Sequence, residues 1–147
     1  MTYAPIEILL VEDNPSDVTL TLRALEKNNL TNRVLVARDG AEALEFLFRP
    51  GEFAERSDDA VPKVILLDLN LPKVDGIEVL RQIKGDERTR SIPVVVLTSS
   101  GLERDIIETY QLGVNSYITK PVDFEQFTDA MRTIGVYWLM LNQSPPR

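Results

Sequence analysis

Lys63-Val64-Ile65-Leu66-Leu67-Asp68-Leu69-Asn70-Leu71-Pro72 is the stretch on which the fold of this chain turns. From Val64 to Leu67 no side chain carries a polar atom, and a carboxylate follows at Asp68. A short apolar run closed by Pro72 and by Asp75-Gly76 reads as a strand buried on both faces. Asp68 then stands where the strand leaves the core, at the carboxyl edge of a sheet, where open α/β sheets place their ligands. A carboxylate in that position must be paired, hydrated or bound to a cation, because a lone buried charge is costly.

Three further runs share this form. Ile6-Glu7-Ile8-Leu9-Leu10-Val11 leads into Glu12-Asp13, Ile92 to Leu97 leads into Thr98-Ser99-Ser100-Gly101, and Asn115 to Thr119 leads into Lys120-Pro121. Arg33 to Ala37 is a fifth predicted strand. Between them lie segments of helical periodicity. Asn14-Pro15 supplies a cap and an N1 proline for a helix over roughly 15–28, with Val18, Leu22 and Leu25 as its apolar stripe. Ala41 to Phe48 is predicted to turn Ala43, Leu44, Leu47 and Phe48 inward, and a helix over 76–85 to bury Ile77, Val79, Leu80 and Ile83. Helices over 102–112, ended by Gly113, and about 123–141, capped by Asp123, complete the alternation. Residues 49–62 form a predicted loop, longer than the usual βα or αβ connection. Five strands alternating with five helices predict one doubly wound α/β domain with a parallel sheet, for which the order 2-1-3-4-5 is preferred.

In that order the ends of strands one, three, four and five line one cleft, which gathers Glu12, Asp13, Asp68, Thr98 and Lys120. Three crowded carboxylates repel unless a cation sits among them. The chain has neither histidine nor cysteine, so only hard oxygen donors are on offer, and these imply Mg²⁺ or a similar ion such as Mn²⁺. An ammonium, a hydroxyl and a divalent cation together suit a phosphoryl group, with one carboxylate as nucleophile. Taken singly, each residue has an ordinary structural role: acids at a helix start, a turn aspartate, a surface lysine. Their coincidence at strand ends in one architecture is what favours a site.

Composition narrows the classes. At 147 residues the chain suits one domain (1–147, core about 5–141), and without cysteine it has no disulfide or thiolate chemistry. A formal charge of −7 disfavours nucleic acid and anionic membranes as partners. No signal peptide is visible and no apolar run approaches the ~18 residues of a membrane span, so the expected compartment is the cytoplasm.

Leu10-Val11-Glu12-Asp13-Asn14, Leu67-Asp68-Leu69-Asn70-Leu71-Pro72, Asp75-Gly76, Leu97-Thr98-Ser99 and Tyr117-Ile118-Thr119-Lys120-Pro121 together resemble a response-regulator receiver domain of two-component signalling, with its flavodoxin-like fold. The resemblance implies that Asp68 accepts a phosphoryl group from a sensor histidine kinase. It implies that Glu12, Asp13, Asp68 and the backbone carbonyl of Asn70 surround the cation, and that Thr98 and Lys120 contact the phosphoryl oxygens. It further implies a switch formed by Thr98 and Tyr117, a cis peptide at Lys120-Pro121, and control of phosphate lifetime by Asn70 and Ser100. The 49–62 loop and the aromatic-rich last helix are similar to those of small regulators paired with phytochrome-type kinases.

Only six residues follow position 141, so the expected output is a surface of the domain itself. The last helix carries an apolar excess, and a homodimer through Phe127, Met131, Ile134 and Trp138 is expected there. Two other classes fit less well. A small hydrolase with an aspartyl nucleophile would need a second Asp where Asn70 stands, and a flavin or dinucleotide binder would need a glycine- or hydroxyl-rich phosphate loop where Glu12-Asp13-Asn14-Pro15 stands. A receiver that relays phosphate onward as a shuttle stays open.

Overall fold

The computed structural model describes residues 7–29, 34–48, 62–99, 101–120 and 123–135. Five strands, β1 (Ile8–Val11), β2 (Val34–Ala37), β3 (Val64–Leu67), β4 (Val94–Thr98) and β5 (Ser116–Thr119), alternate with five helices. The helices are α1 (Pro15–Lys27), α2 (Gly40–Phe48), α3 (Gly76–Gly85), α4 (Glu103–Gln111) and α5 (Phe124–Gly135). The strands are parallel, in the order β2-β1-β3-β4-β5. Among the described residues, no helix is long and apolar enough to cross a membrane.

Period-two alternation divides the core into two halves. Leu9, Val11, Ile65, Leu67, Val94 and Val96 face one way, onto Ala43 and Phe46 of α2 and Val79, Leu80 and Ile83 of α3. Ile8, Leu10, Val64, Leu66, Val95 and Leu97 face the other way, onto Val18, Ala24 and Leu25 of α1 and Phe127 and Met131 of α5. All residues of β1, β3 and β4 are buried, whereas β2 and β5, at the edges, are mostly half-buried. This explains why the central strands read as unbroken apolar runs.

Helix starts are set by local polar chemistry. Asn14 Oδ1 accepts from the amides of Ser16 and Asp17, which caps α1 at the end of β1. Asp39 Oδ1 accepts from the Glu42 amide while Glu42 Oε2 accepts from the Arg38 amide, a reciprocal box at the start of α2. At α3 the constraint is steric. The Gly76 amide donates to the Leu69 carbonyl, and a Cβ on Gly76 would collide with the Asp68 carbonyl oxygen and the Leu69 backbone. Only glycine lets α3 press onto the backbone that carries Asp68.

Two expectations change. In α2 the buried aromatic is Phe46, not Phe48; Phe48 is half-buried, with the Arg88 guanidinium 5.3 Å from its ring centroid. The apolar run Ala43-Leu44-Glu45-Phe46-Leu47-Phe48 fits several helical phases, and docking on the sheet chooses the one with Ala43 and Phe46 inward, three residues apart. In α5, Phe127 and Met131 are 1% and 0% exposed and belong to the core beside α1, so they cannot form a dimer face. Ile134 is half-buried against the same cluster. Trp138, Ser100, most of the 49–62 loop and the Lys120-Pro121 peptide lie outside the described residues.

Gly76→Ala is expected to lower stability by about 1–3 kcal/mol through forced backbone displacement, read as a reduced midpoint in urea unfolding.

Candidate functional site

The carboxyl edge of the sheet holds the acidic cluster because the ladder continues one residue past the strands. Val11 pairs with Leu67, the Asp68 amide donates to the Val11 carbonyl (3.0 Å), and the Glu12 amide donates to the Ala37 carbonyl (3.0 Å). Glu12 and Asp68 are therefore pinned side by side by main-chain bonds. Both continue the alternation of Ile8, Leu10, Val64 and Leu66, and thus fall on the side of α1 and α5. Asp13, out of phase, is exposed.

The ligand oxygens of Glu12, Asp13 and Asp68 all lie within 4.8 Å of one another. Glu12 and Asp68 are buried, at 3% and 7% exposure. Burial, opposed by the Lys120 hydrogen bond and reinforced by Asp68, pushes the Glu12 carboxyl up to about 7. A carboxyl that keeps its proton near neutrality is one for which burial outweighs the help of its neighbouring ammonium. With oxygen donors alone, this donor set fits a hard divalent ion such as Mg²⁺ or Mn²⁺. Asn70 sits at the mouth, its amide donating to Asp68 Oδ1 at 3.3 Å.

Lys120 reaches the cluster from the end of β5. Its amide donates to the Thr98 carbonyl (2.6 Å), which ties the ends of β4 and β5 together. Its Nζ lies 2.7 Å from Glu12 Oε1, 3.0 Å from Asp17 Oδ2 and 3.9 Å from Asp68 Oδ2. Burial alone would lower the lysine pKa, but the hydrogen bonds to Glu12 and Asp17 outweigh it and hold it above the ordinary value. Thr98 is fully buried at the last position of β4. Tyr117, opposite Val96 in the ladder, is half-buried against the α2–α3 side of the core. A cleft of about 580 Å³ opens beside Asn70, bordered by Ser99, Asp75 and Arg104.

The structure thus brings together Glu12, Asp13, Asp68 and Lys120, with Thr98 tied to Lys120 through the backbone and Asn70 at the rim. Asp17 was not anticipated from the sequence. The Asn14 cap fixes it in the first turn of α1, on the side facing Lys120. An acid three residues after a helix cap is common enough to pass as a dipole partner.

The raised Glu12 pKa predicts an unusual pH dependence. In the metal-free fold Glu12 keeps a proton that the unfolded chain, with its ordinary value of 4.5, has released. Stability from this group is therefore present at acid pH and is lost as pH rises from about 4.5 to about 7. Asp39, Glu78 and Asp86, whose pKa values are lowered, act below that window. In chelator the melting temperature is expected to carry a falling component across this range that Glu12→Gln removes. Mg²⁺ affinity is expected to rise over the same range and then level, as titration calorimetry would show.

Comparison with known proteins agrees with this geometry. The model of the response regulator receiver domain matches residues 8–132. The chain is 47% identical over 141 residues to the probable methanogenesis regulatory protein FilR2 of Methanothrix harundinacea, covering 96% of this chain and 88% of that protein. It is 42% identical over 135 residues to response regulator Rcp1 of Synechocystis sp., covering 92% and 90%. The crystal structure of Mn²⁺-bound Rcp1 superposes with a TM-score of 0.83 at 40% identity, covering 97% of this chain and all of that one. The phosphorylated cyanobacterial phytochrome response regulator RcpA gives 0.84 at 44% identity, again over 97% and 100%. A match over most of the chain, joined to an acidic cluster and a lysine at the strand ends, places this protein in the family of response regulator receiver domains.

Proposed function

We propose that Asp68 is the phosphoacceptor and that the protein is a response regulator whose own surface carries the signal. The observation that carries this reading is the position of the Asp68 carboxylate, at the end of β3 among Glu12 and Asp13 with the Lys120 ammonium 3.9 Å away. In the transfer, the N–P bond of a kinase phosphohistidine breaks and an Oδ–P bond forms on Asp68. The imidazole leaves with the electron pair and takes up a proton from solvent. A divalent cation held by Glu12, Asp13, Asp68 and the Asn70 carbonyl supplies charge neutralisation for the phosphoryl oxygens. That response regulator Rcp1 has a Mn²⁺-bound form supports a divalent cation as the group held.

Lys120 supplies the mobile positive charge, and Thr98 the hydroxyl that draws the end of β4 toward the phosphoryl group. Tyr117, one strand over and half-buried, follows that movement inward. Asn70 and Ser100 set how readily water reaches the aspartyl phosphate. The readout face is α4 with the β5 edge: among the described residues the exposed large apolar side chains are Leu102, Ile107 and Tyr110, about half exposed, all in or beside α4. Should the last helix also pair two copies, its contact must use Ile134, Trp138 and their neighbours, because Phe127 and Met131 are spent in the core.

The kinase partner is proposed to be of the phytochrome type, since RcpA is described as a phytochrome response regulator. Its site of action is taken to be the cytoplasm, with neither nucleic acid nor membrane as partner, in keeping with the charge of −7.

Asp68→Asn is expected to abolish acid-labile phosphorylation, whether by a kinase or by phosphoramidate with Mg²⁺; full-stoichiometry labelling of that variant would refute the assignment. Side-by-side transfer from a phytochrome-type kinase and from an unrelated histidine kinase tests the partner: equal rates would remove the phytochrome preference. For pairing through the last helix, sedimentation of Trp138→Glu against the wild type is expected to show a loss of dimer, and identical monomers would discard it.

A further inference from the structure

Lys120 makes no hydrogen bond to Asp68 in this fold and meets it only as a long ion pair. Its ammonium has three donors, and two are committed to carboxylates other than Asp68: Glu12 Oε1 at 2.7 Å and Asp17 Oδ2 at 3.0 Å. Asp68 Oδ2 stands off at 3.9 Å, beyond hydrogen-bond range. The two anchors differ in kind. Glu12 belongs to the three-carboxylate cluster that fits the divalent ion, and Asp17 does not. When a cation engages Glu12, Asp17 is the anchor that lies outside the cluster.

Among the described residues the Asp17 carboxylate has Lys120 as its one ion-pair partner. Its amide donates to the Asn14 cap and its carbonyl accepts from the Thr21 hydroxyl, but both are main-chain groups. The carboxylate side chain, about one-third exposed, contacts Lys120 from the first turn of α1, one element removed from the strand ends. Its position is secured by the helix cap rather than by the cluster. It can therefore hold the ammonium in place while the cluster changes charge.

We propose that Asp17 is a positioning residue that holds the Lys120 ammonium off Asp68 in the unphosphorylated state, so that phosphorylation must draw the lysine away from it. This rests on the reading of Asp68 as phosphoacceptor. The hand-over is an exchange of ion pairs: the Asp17–Lys120 contact is given up and a contact between Lys120 and a phosphoryl oxygen is made. Whatever the first contact contributes is subtracted from the stability of the phosphorylated state. Asp17 thus sets how far the equilibrium favours the resting form, without touching the reacting atoms. A purely structural role for Asp17 would act in the opposite direction, since loosening the site would weaken binding of any phosphoryl group.

The test is equilibrium binding of beryllofluoride, a tetrahedral phosphoryl mimic, in the presence of saturating Mg²⁺, to the full chain and its variants. Asp17→Asn keeps size and both main-chain hydrogen bonds while removing the charge. It is expected to bind beryllofluoride about five-fold more tightly than wild type, the scale of one partly exposed ion pair. Asp17→Glu, which restores a carboxylate, is expected to return affinity toward the wild-type value. Unchanged or weaker binding by Asp17→Asn, or failure of Asp17→Glu to restore it, would overturn the proposal while leaving Asp68 as phosphoacceptor intact. A wild type that does not bind beryllofluoride with Mg²⁺ would overturn the phosphoacceptor reading itself, and this one with it.

Discussion

Mutual repulsion of carboxylates at the sheet edge is the constraint to which the rest of this protein answers. Glu12, Asp13 and Asp68 bring their oxygens within 4.8 Å of one another, and two of the three are buried. The only cation among the described residues to reach them is Lys120. Such a cluster costs free energy to assemble in a metal-free fold, and burial first, with the neighbouring Asp68 adding to it, pushes the Glu12 carboxyl up to about 7. The strain is relieved by whatever brings positive charge: a proton, the lysine or a divalent ion. A site poised in this way binds a cation and then tolerates a phosphoryl group, because the charges needed by each are already opposed there.

The scaffold makes the cluster unavoidable. β1 and β3 are neighbours, but the helices that follow them pack on opposite faces of the sheet, α1 on one and α3 on the other. The chain therefore parts at the strand ends and leaves a crevice, the general feature of a topological switch point. Main-chain bonds carry the ladder one residue beyond Val11 and Leu67, so Glu12 and Asp68 cannot move apart without breaking the sheet. Gly76 presses α3 onto the backbone of Asp68 from the other side. The same close packing gives the site its rigidity. On the far side of the cleft the ends of β4 and β5 are tied together by the Lys120 amide and the Thr98 carbonyl, and Leu102, Ile107 and Tyr110 lie exposed in or beside α4.

Much of this was legible in the chain. The three central strands announce themselves as unbroken apolar runs because they are buried on both faces, and each ends in the residue that carries chemistry. The alternation of strand and helix gave the parallel sheet, and the preferred one of two competing strand orders is the order observed. The edge strands and the helix faces were less legible. The phase of α2 could not be read from Ala43-Leu44-Glu45-Phe46-Leu47-Phe48, since nearly every position is apolar and only docking distinguishes them. The stripe of α5 read as an excess available for pairing, whereas Phe127 and Met131 are consumed by the core beside α1. Periodicity reports that a face is apolar; it does not report what covers it.

The sequence by itself determined that carboxylates, a hydroxyl and a lysine would meet at one edge, because residues at strand ends in a parallel sheet have nowhere else to go. It also determined the oxygen-only donor set, since no histidine or cysteine is present. The tertiary structure alone decided how Lys120 divides its ammonium between Glu12, Asp17 and Asp68. That choice depends on contacts of 2.7, 3.0 and 3.9 Å, one of them made between Asp17 in α1 and Lys120 just past β5, 103 residues apart in the chain. Local pattern places a residue on a strand or a helix. Which of three carboxylates a lysine prefers is settled only when those elements are packed against each other.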